Sequence, residues 1–188
     1  MSARGFVVTL LGAESTGKTT LAGEIGAALA ARGLDVAVVG EALREFCDVN
    51  ARPPRRDEQS AIATTQSERI DAAARSHDIV VADTSAVMIA VYSDFVFGDR
   101  GLYASALAAQ RRCELTLVTA LDLPWQADGL QRDGAHVRAP VDVLLRSALA
   151  DAQIAFTTVA GVGSERVAAA LRAIDAALAT RANDNAPH

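Results

Sequence analysis

The sequence predicts an α/β fold built on a parallel sheet, and three observations predict it. Short β-branched runs alternate with longer alanine-rich stretches along the 188 residues, the pattern of repeated strand–helix units. The runs are apolar at successive positions, as strands buried on both faces must be. Glycine or acidic residues follow several runs, and right-handed crossovers gather such strand ends on one sheet edge, where ligands of α/β sheets bind.

The elements follow in order. Phe6-Val7-Val8-Thr9-Leu10-Leu11 is the first strand. A helix runs from Thr19 to about Arg32, and Gly33 stops it. Val36 to Val39 is the second strand, ending at Gly40-Glu41. The Arg52-Pro53-Pro54-Arg55-Arg56 stretch breaks any helix, and Asp57 caps the next one, which runs to about Ser76. Ile79 to Ala82 is the third strand, ending at Asp83-Thr84. Helices are expected over Ala86–Tyr92 and Leu102–Arg112, then a fourth strand over Leu115–Leu121. A polar segment spans Asp122 to Ala139. A helix over Val141–Asp151, a fifth strand over Ala155–Val159 and a helix from Ser164 to about Thr180 complete the domain. Residues 1–180 read as one domain, and 181–188 as a disordered tail.

Composition narrows the function. Of 18 basic residues, 17 are arginine and one is lysine, Lys18. The guanine-reading N-K-x-D motif of common GTPases needs a second lysine, and protein kinases need a V-A-I-K strand and an H-R-D loop. Both classes are excluded. A net charge of −5 and 4% aromatic residues argue against a nucleic-acid partner, which needs a basic stripe or stacking platforms. Cys47 and Cys113 form no C-x-x-C pair and are expected to be buried spectators of a reducing compartment. No apolar run has the length of a membrane helix, and the first strand follows the N-terminus directly. The expected setting is the cytoplasm, with no membrane partner.

Gly12-Ala13-Glu14-Ser15-Thr16-Gly17-Lys18-Thr19-Thr20 contains G-x-x-x-x-G-K-[ST] between an apolar strand and a helix. The glycines let backbone N–H groups turn inward as an anion nest, and the helix start adds partial positive charge. Lys18 is a compact charge on a flexible stem that reaches the β- and γ-phosphates of ATP, and Thr19 is placed to hold Mg²⁺. Asp83 at a strand tip either holds that Mg²⁺ or accepts a proton from an acceptor; its bland reading is a helix cap, which Thr84 or Ser85 would supply equally well.

Glu41 and Arg44 are three residues apart and meet on a helical turn. They either position a hydroxyl acceptor or form a solvated ion pair of little worth. Glu45 reads as a surface residue. The segment around Trp125, Asp128, Arg132 and Arg138 combines glycine hinges with arginines, the composition of a lid that closes over transferring phosphate. Its alternative is a long solvated loop. Trp125 either stacks on a base or ribose or anchors the loop. His77 and His136 have no metal-ligand spacing and read as surface residues.

Three stretches, Leu11 to Leu21, Glu41-Ala42-Leu43-Arg44-Glu45-Phe46 and Pro124-Trp125-Gln126-Ala127-Asp128-Gly129, resemble the ribosylnicotinamide kinase domain of NadR-type proteins. That family lies within the P-loop nucleoside and nucleotide kinases. The resemblance spans roughly residues 5–178. It implies a three-layer α/β/α P-loop NTPase fold, like that of nucleoside monophosphate kinases, with a five-stranded parallel sheet. It also implies transfer of the ATP γ-phosphoryl group to the 5′-hydroxyl of nicotinamide riboside. Lys18 and Thr19 would hold phosphates and Mg²⁺. Glu41 and Arg44 would face the acceptor, Asp83 would sit at the reacting centre, and Arg132 and Arg138 would belong to the lid. The Gly161-Val162-Gly163 loop would lie near adenine. Family members often have D-T-D where this chain has Asp83-Thr84-Ser85, and aromatic residues at the positions of Gly40 and Ala72. The alternative function is a stand-alone P-loop ATPase with a regulatory or partner-protein role. An AAA-type motor would need a further helical domain, for which the chain is expected to be too short.

Overall fold

Five strands form one all-parallel sheet in the computed structural model, which describes residues 4–126 and 134–184. The strands are β1 (Phe6–Leu11), β2 (Val36–Val39), β3 (Ile79–Asp83), β4 (Leu115–Thr119) and β5 (Thr157–Val159). Their order is β2-β3-β1-β4-β5. The helices are α1 (Lys18–Ala31), α2 (Ala42–Asn50), α3 (Gln59–Ser76), α4 (Ala86–Phe97), α5 (Tyr103–Gln110), α6 (Arg138–Asp151) and α7 (Ser164–Asp184).

The central strand shows why the layers form. Every residue of β1 is buried, and alternate side chains face opposite layers. Phe6, Val8 and Leu10 pack with Leu21 and Ile25 of α1 and Ile174 of α7. Leu11 packs on the other face with Val87 of α4 and Val141 of α6. Val7 joins Ile70 and Ala74 of α3. Burying one such leucine contributes about 1.5–3 kcal/mol, so the two apolar faces account for the three-layer α/β/α arrangement. Register then sets the site. Leu10 of β1 is opposite Asp83 of β3, which brings the Asp83 strand tip beside the loop that starts at Gly12.

Several element ends differ from expectation, for local reasons. Helix α4 continues past Tyr92 to Phe97, because its stop is Gly98, which adopts φ 63 and returns its N–H to Asp94 O. Helix α2 is nine residues long where only one turn was expected. Asp57 does not cap α3: it lies within a 3₁₀ turn over Arg56–Glu58, where the Glu58 carboxylate accepts the Arg55 N–H at 2.7 Å. Helix α6 starts at Arg138, with Pro140 in its first turn, where no N–H is required. Strand β4 ends at Thr119, before Leu121, and β5 starts at Thr157. Helix α7 runs to Asp184, beyond the expected Thr180; residues 185–188 lie outside the described residues. Among the described residues, no helix is long and apolar enough to cross a membrane.

Candidate active site

The loop from Gly12 to Gly17 joins β1 to α1. Gly12 has φ 148, and a Cβ there would come within 2.1 Å of Thr119 Oγ1. Only glycine fits that approach. Thr119 donates to Thr16 Oγ1 at 2.7 Å, and Thr16 donates to Ala13 O at 2.8 Å, so β4 braces the loop from below its turn. Gly17 has φ 74 and caps α1, and no side chain caps the helix start. Gly17 therefore gives the first-turn N–H groups of α1 no side-chain cap, an arrangement that suits an anion. Lys18 Nζ lies 2.8 Å from Ala13 O, folded along the loop it serves. Thr20 is exposed at the start of α1.

Thr19 Oγ1 donates to Asp83 Oδ2 at 2.6 Å. Asp83 is 2% exposed, and its Oδ1 is buried with no hydrogen-bond partner among the described residues. A buried carboxylate oxygen of this kind is costly without a partner. A hydroxyl and a carboxylate are hard oxygen donors, and Mg²⁺ at phosphate sites takes only one or two protein carboxylates. The residues fit the ion. The helix-cap reading of Asp83 does not apply, since Ser85 Oγ accepts the Val87 N–H and caps α4.

Beside this pair lies a cleft of about 320 Å³, lined by Thr19, Asp83, Gly40, Glu41, Arg44, Glu45, Asp48, Val49 and Arg69. The expected Glu41–Arg44 pair is present at 3.8 Å. Glu45, read as a surface residue, is exposed yet lines this cleft and pairs with Arg69. The hydrogen bond from Arg69, and then its charge, hold the Glu45 carboxyl below its ordinary value. Gly40 lines the cleft, with nothing within 4 Å of where its Cβ would stand.

The segment after β4 lies against the phosphate loop. Trp125 Nε1 donates to Glu14 Oε1 at 3.1 Å, and the Gln126 N–H donates to Ser15 Oγ at 2.8 Å. Trp125 here anchors the loop. Tyr92 Oη accepts the Glu14 N–H at 3.1 Å. Arg138 is 8% exposed and donates to Leu123 O at 2.9 Å, bracing the base of the segment from the start of α6. Asp128 and Arg132 lie outside the described residues.

On the opposite side of the loop, Arg166 is 4% exposed and joins three segments. It donates to Asp122 Oδ1 at 2.7 Å, to Gly161 O at 2.9 Å and to Thr16 O at 2.9 Å. Asp122 Oδ2 also accepts the Gly161 N–H at 2.6 Å. Burial opposes ionisation of Asp122 and is the largest influence, yet the bonds from Arg166 and Gly161 hold its carboxyl below its ordinary value. The Gly161 loop is thereby tied to the phosphate loop.

The remaining groups take no part. Cys47 is buried, Cys113 is half-buried, and neither forms a disulfide. Burial pushes the Cys113 thiol up to about 12, which leaves it unreactive. His77 is half-buried and His136 exposed. No group of three or more His, Cys, Asp or Glu suited to a metal exists among the described residues. Arg166 and Arg69 escaped sequence reasoning as parts of the site, and Asp122 was read only as the start of the polar segment.

No curated protein matches the sequence. NadR protein in complex with NR superposes with a TM-score of 0.75 at 22% identity, over 92% of this chain and 50% of that one. NadR protein in complex with NAD and AMP-PNP gives 0.73 at 20% identity, over 92% and 49%. Thymidylate kinase from Ehrlichia chaffeensis gives 0.65 at 11% identity, over 93% and 99%. The chain spans about half the length of the NadR chains it matches. These likenesses show the fold alone, a three-layer α/β/α arrangement on a parallel sheet. The family model AAA_28, an AAA domain, matches residues 7–166. With its phosphate loop, its strand-tip aspartate and that match over most of its length, the chain belongs to the AAA_28 family of AAA domains.

Proposed function

We propose that this chain is an ATP-dependent kinase that transfers the γ-phosphoryl group to the hydroxyl of a small acceptor, a nucleoside such as nicotinamide riboside. The observation that carries the reading is the cleft. It brings Glu41 and Arg44 together with Thr19 and Asp83, the pair beside the phosphate loop. A hydrolase needs room only for water, whereas about 320 Å³ suits a small organic acceptor.

The charge of the cleft narrows the acceptor class. Four carboxylates, Glu41, Glu45, Asp48 and Asp83, face two guanidiniums, Arg44 and Arg69. Arg44 pairs with Glu41 and Arg69 with Glu45. A phosphorylated acceptor would meet net negative charge here, and its phosphate would have to displace a carboxylate from an arginine. A neutral or cationic hydroxyl compound suits the cleft better. This favours a nucleoside over a nucleoside monophosphate, and the NadR structure in complex with NR supports the same choice.

The residues divide the work by position. The N–H groups of the phosphate loop and the Lys18 ammonium hold the β- and γ-phosphates. Thr19 and Asp83 would hold Mg²⁺, which neutralises charge on the phosphate oxygens when bound. Glu41 and Arg44 orient the acceptor hydroxyl toward the transferring group. Phosphoryl transfer passes through a loose transition state, so alignment and charge supply most of the catalysis. Arg132 is the lid arginine in this reading. Arg138 holds the lid base through Leu123 O.

The test is Mg-ATP with a panel of nucleosides and nucleoside monophosphates, following ADP release. Release that depends on a nucleoside is the expected result. Release without any acceptor would favour an ATPase instead, and release only with monophosphates would overturn the acceptor class.

A further inference from the structure

Gln66 lies on the buried face of α3, four residues from Ile62 and four from Ile70, and is 0% exposed. A glutamine in an apolar stripe gives up packing and must satisfy its amide. Its Oε1 accepts the Ala42 N–H at 2.7 Å. Its Nε2 donates to Thr84 O over a longer 3.5 Å.

The two ends of that amide belong to the two strand tips of the candidate site. Ala42 opens α2, next to Glu41 and one turn before Glu45. Glu41 is the N-cap of α2, yet its side chain makes no cap hydrogen bond. Gln66 satisfies the first N–H of α2 from a neighbouring helix, so the Glu41 carboxylate is left to pair with Arg44 in the cleft. Thr84 directly follows Asp83 and adopts φ 75, a region that β-branched residues rarely enter. Such strain persists only where the surroundings enforce it. Here the Thr84 N–H bonds Leu10 O at 3.0 Å, its carbonyl meets Gln66, and the next residue, Ser85, donates to buried Gln110 at 2.7 Å.

We infer that Gln66 is a positioning residue: its single amide fixes the acceptor-side residues of α2 against the strand tip that carries Asp83. It acts through Glu41, Arg44 and Asp83 and not on the reacting atoms. This rests on the kinase reading above.

Steady-state kinetics of wild type, Gln66→Met and Gln66→Asn test it, with Mg-ATP and the panel nucleoside that gives the fastest ADP release. Methionine keeps the volume and removes the hydrogen bonds. Asparagine keeps the amide but is too short to reach both partners. Losing a buried hydrogen bond that sets alignment is expected to lower kcat/KM for the acceptor by about tenfold or more. The loss is expected as a higher KM for the acceptor, which a falling folded fraction cannot produce, with kcat/KM for ATP within about twofold of wild type. If Gln66→Met does not fold, Gln66→Asn must show the same split. Equal losses toward both substrates, as a falling folded fraction would give, overturn the inference, as does unchanged acceptor kinetics in a folded variant. Wild-type protein with no acceptor-dependent turnover would instead overturn the kinase reading, and the inference with it.

Discussion

Lys18 is the one lysine of the chain, and its neighbours explain why arginine does not replace it. Its Nζ lies along the loop, 2.8 Å from Ala13 O. A planar guanidinium is larger and cannot fold into the same turn. Lys18→Arg is therefore expected to keep its melting temperature within about 2 °C while turnover falls about 100-fold or more. Thermal melts and ADP release check both halves, and wild-type turnover would refute the role given to the point charge. The phosphate motif was fully legible because its residue types are tied to one chemistry. Other site residues were less so. Gln66, Gln110 and Arg166 occupy the buried stripes of their helices, with Ile62 and Ile70, Ala106, and Ala170 and Ile174 respectively. A polar residue at an apolar position of the helical period is a readable signal. What such a residue holds is not readable, because the partners Ala42, Thr9 and Thr16 come from a helix, a strand and a loop distant in sequence.

Elements end where backbone chemistry dictates, and two ends give predictions. Helix α2 closes at Ala51, which is exposed and adopts φ 52. Glycine carries no penalty there, so Ala51→Gly is expected to stabilise the protein by about 0.5–1 kcal/mol, measured by urea unfolding. The 3₁₀ turn before α3 is held by Glu58. Arg52 donates to its two oxygens at 2.6 and 2.7 Å, and the Arg55 N–H donates at 2.7 Å. Those bonds, that of Arg52 foremost, lower the Glu58 pKa to about 2. A depressed carboxyl contributes stability that is complete above its unfolded value and is lost as pH falls through the folded one. The contribution of Glu58 thus fades between about pH 4.5 and 2. The pair is half-buried and still salt-screened, so the effect is small. Melting temperature against pH should fall less steeply over that window in Glu58→Gln than in wild type; identical slopes would refute it. Strand cores were legible from their apolar runs. The end of α1 before Gly33 was legible too, whereas α4 runs five residues past the expected Tyr92 to its stop at Gly98.

The whole molecule is a sheet whose one edge collects its chemistry. Parallel register puts Asp83 beside the phosphate loop, and the order β2-β3-β1-β4-β5 flanks that loop with the Glu41–Arg44 cleft on one side and the Asp122–Arg166–Gly161 tie on the other. Arg166 links Asp122 in the segment after β4, the Gly161 loop and Thr16 O with a buried guanidinium. Arg166→Leu is expected to cost about 2–4 kcal/mol in urea unfolding, since it leaves Asp122 Oδ1 and two carbonyls without their arginine donor. A cost below about 0.5 kcal/mol would mean that the tie is idle, as at ordinary surface sites. The central claim concerns the cleft beside that loop. Its most direct measurement follows labelled γ-phosphate from Mg-ATP into products in the presence of nicotinamide riboside and other nucleosides. The account predicts label on a nucleoside hydroxyl, lost on Lys18→Arg substitution. Label released only as inorganic phosphate, at the same rate with and without nucleoside, would contradict it.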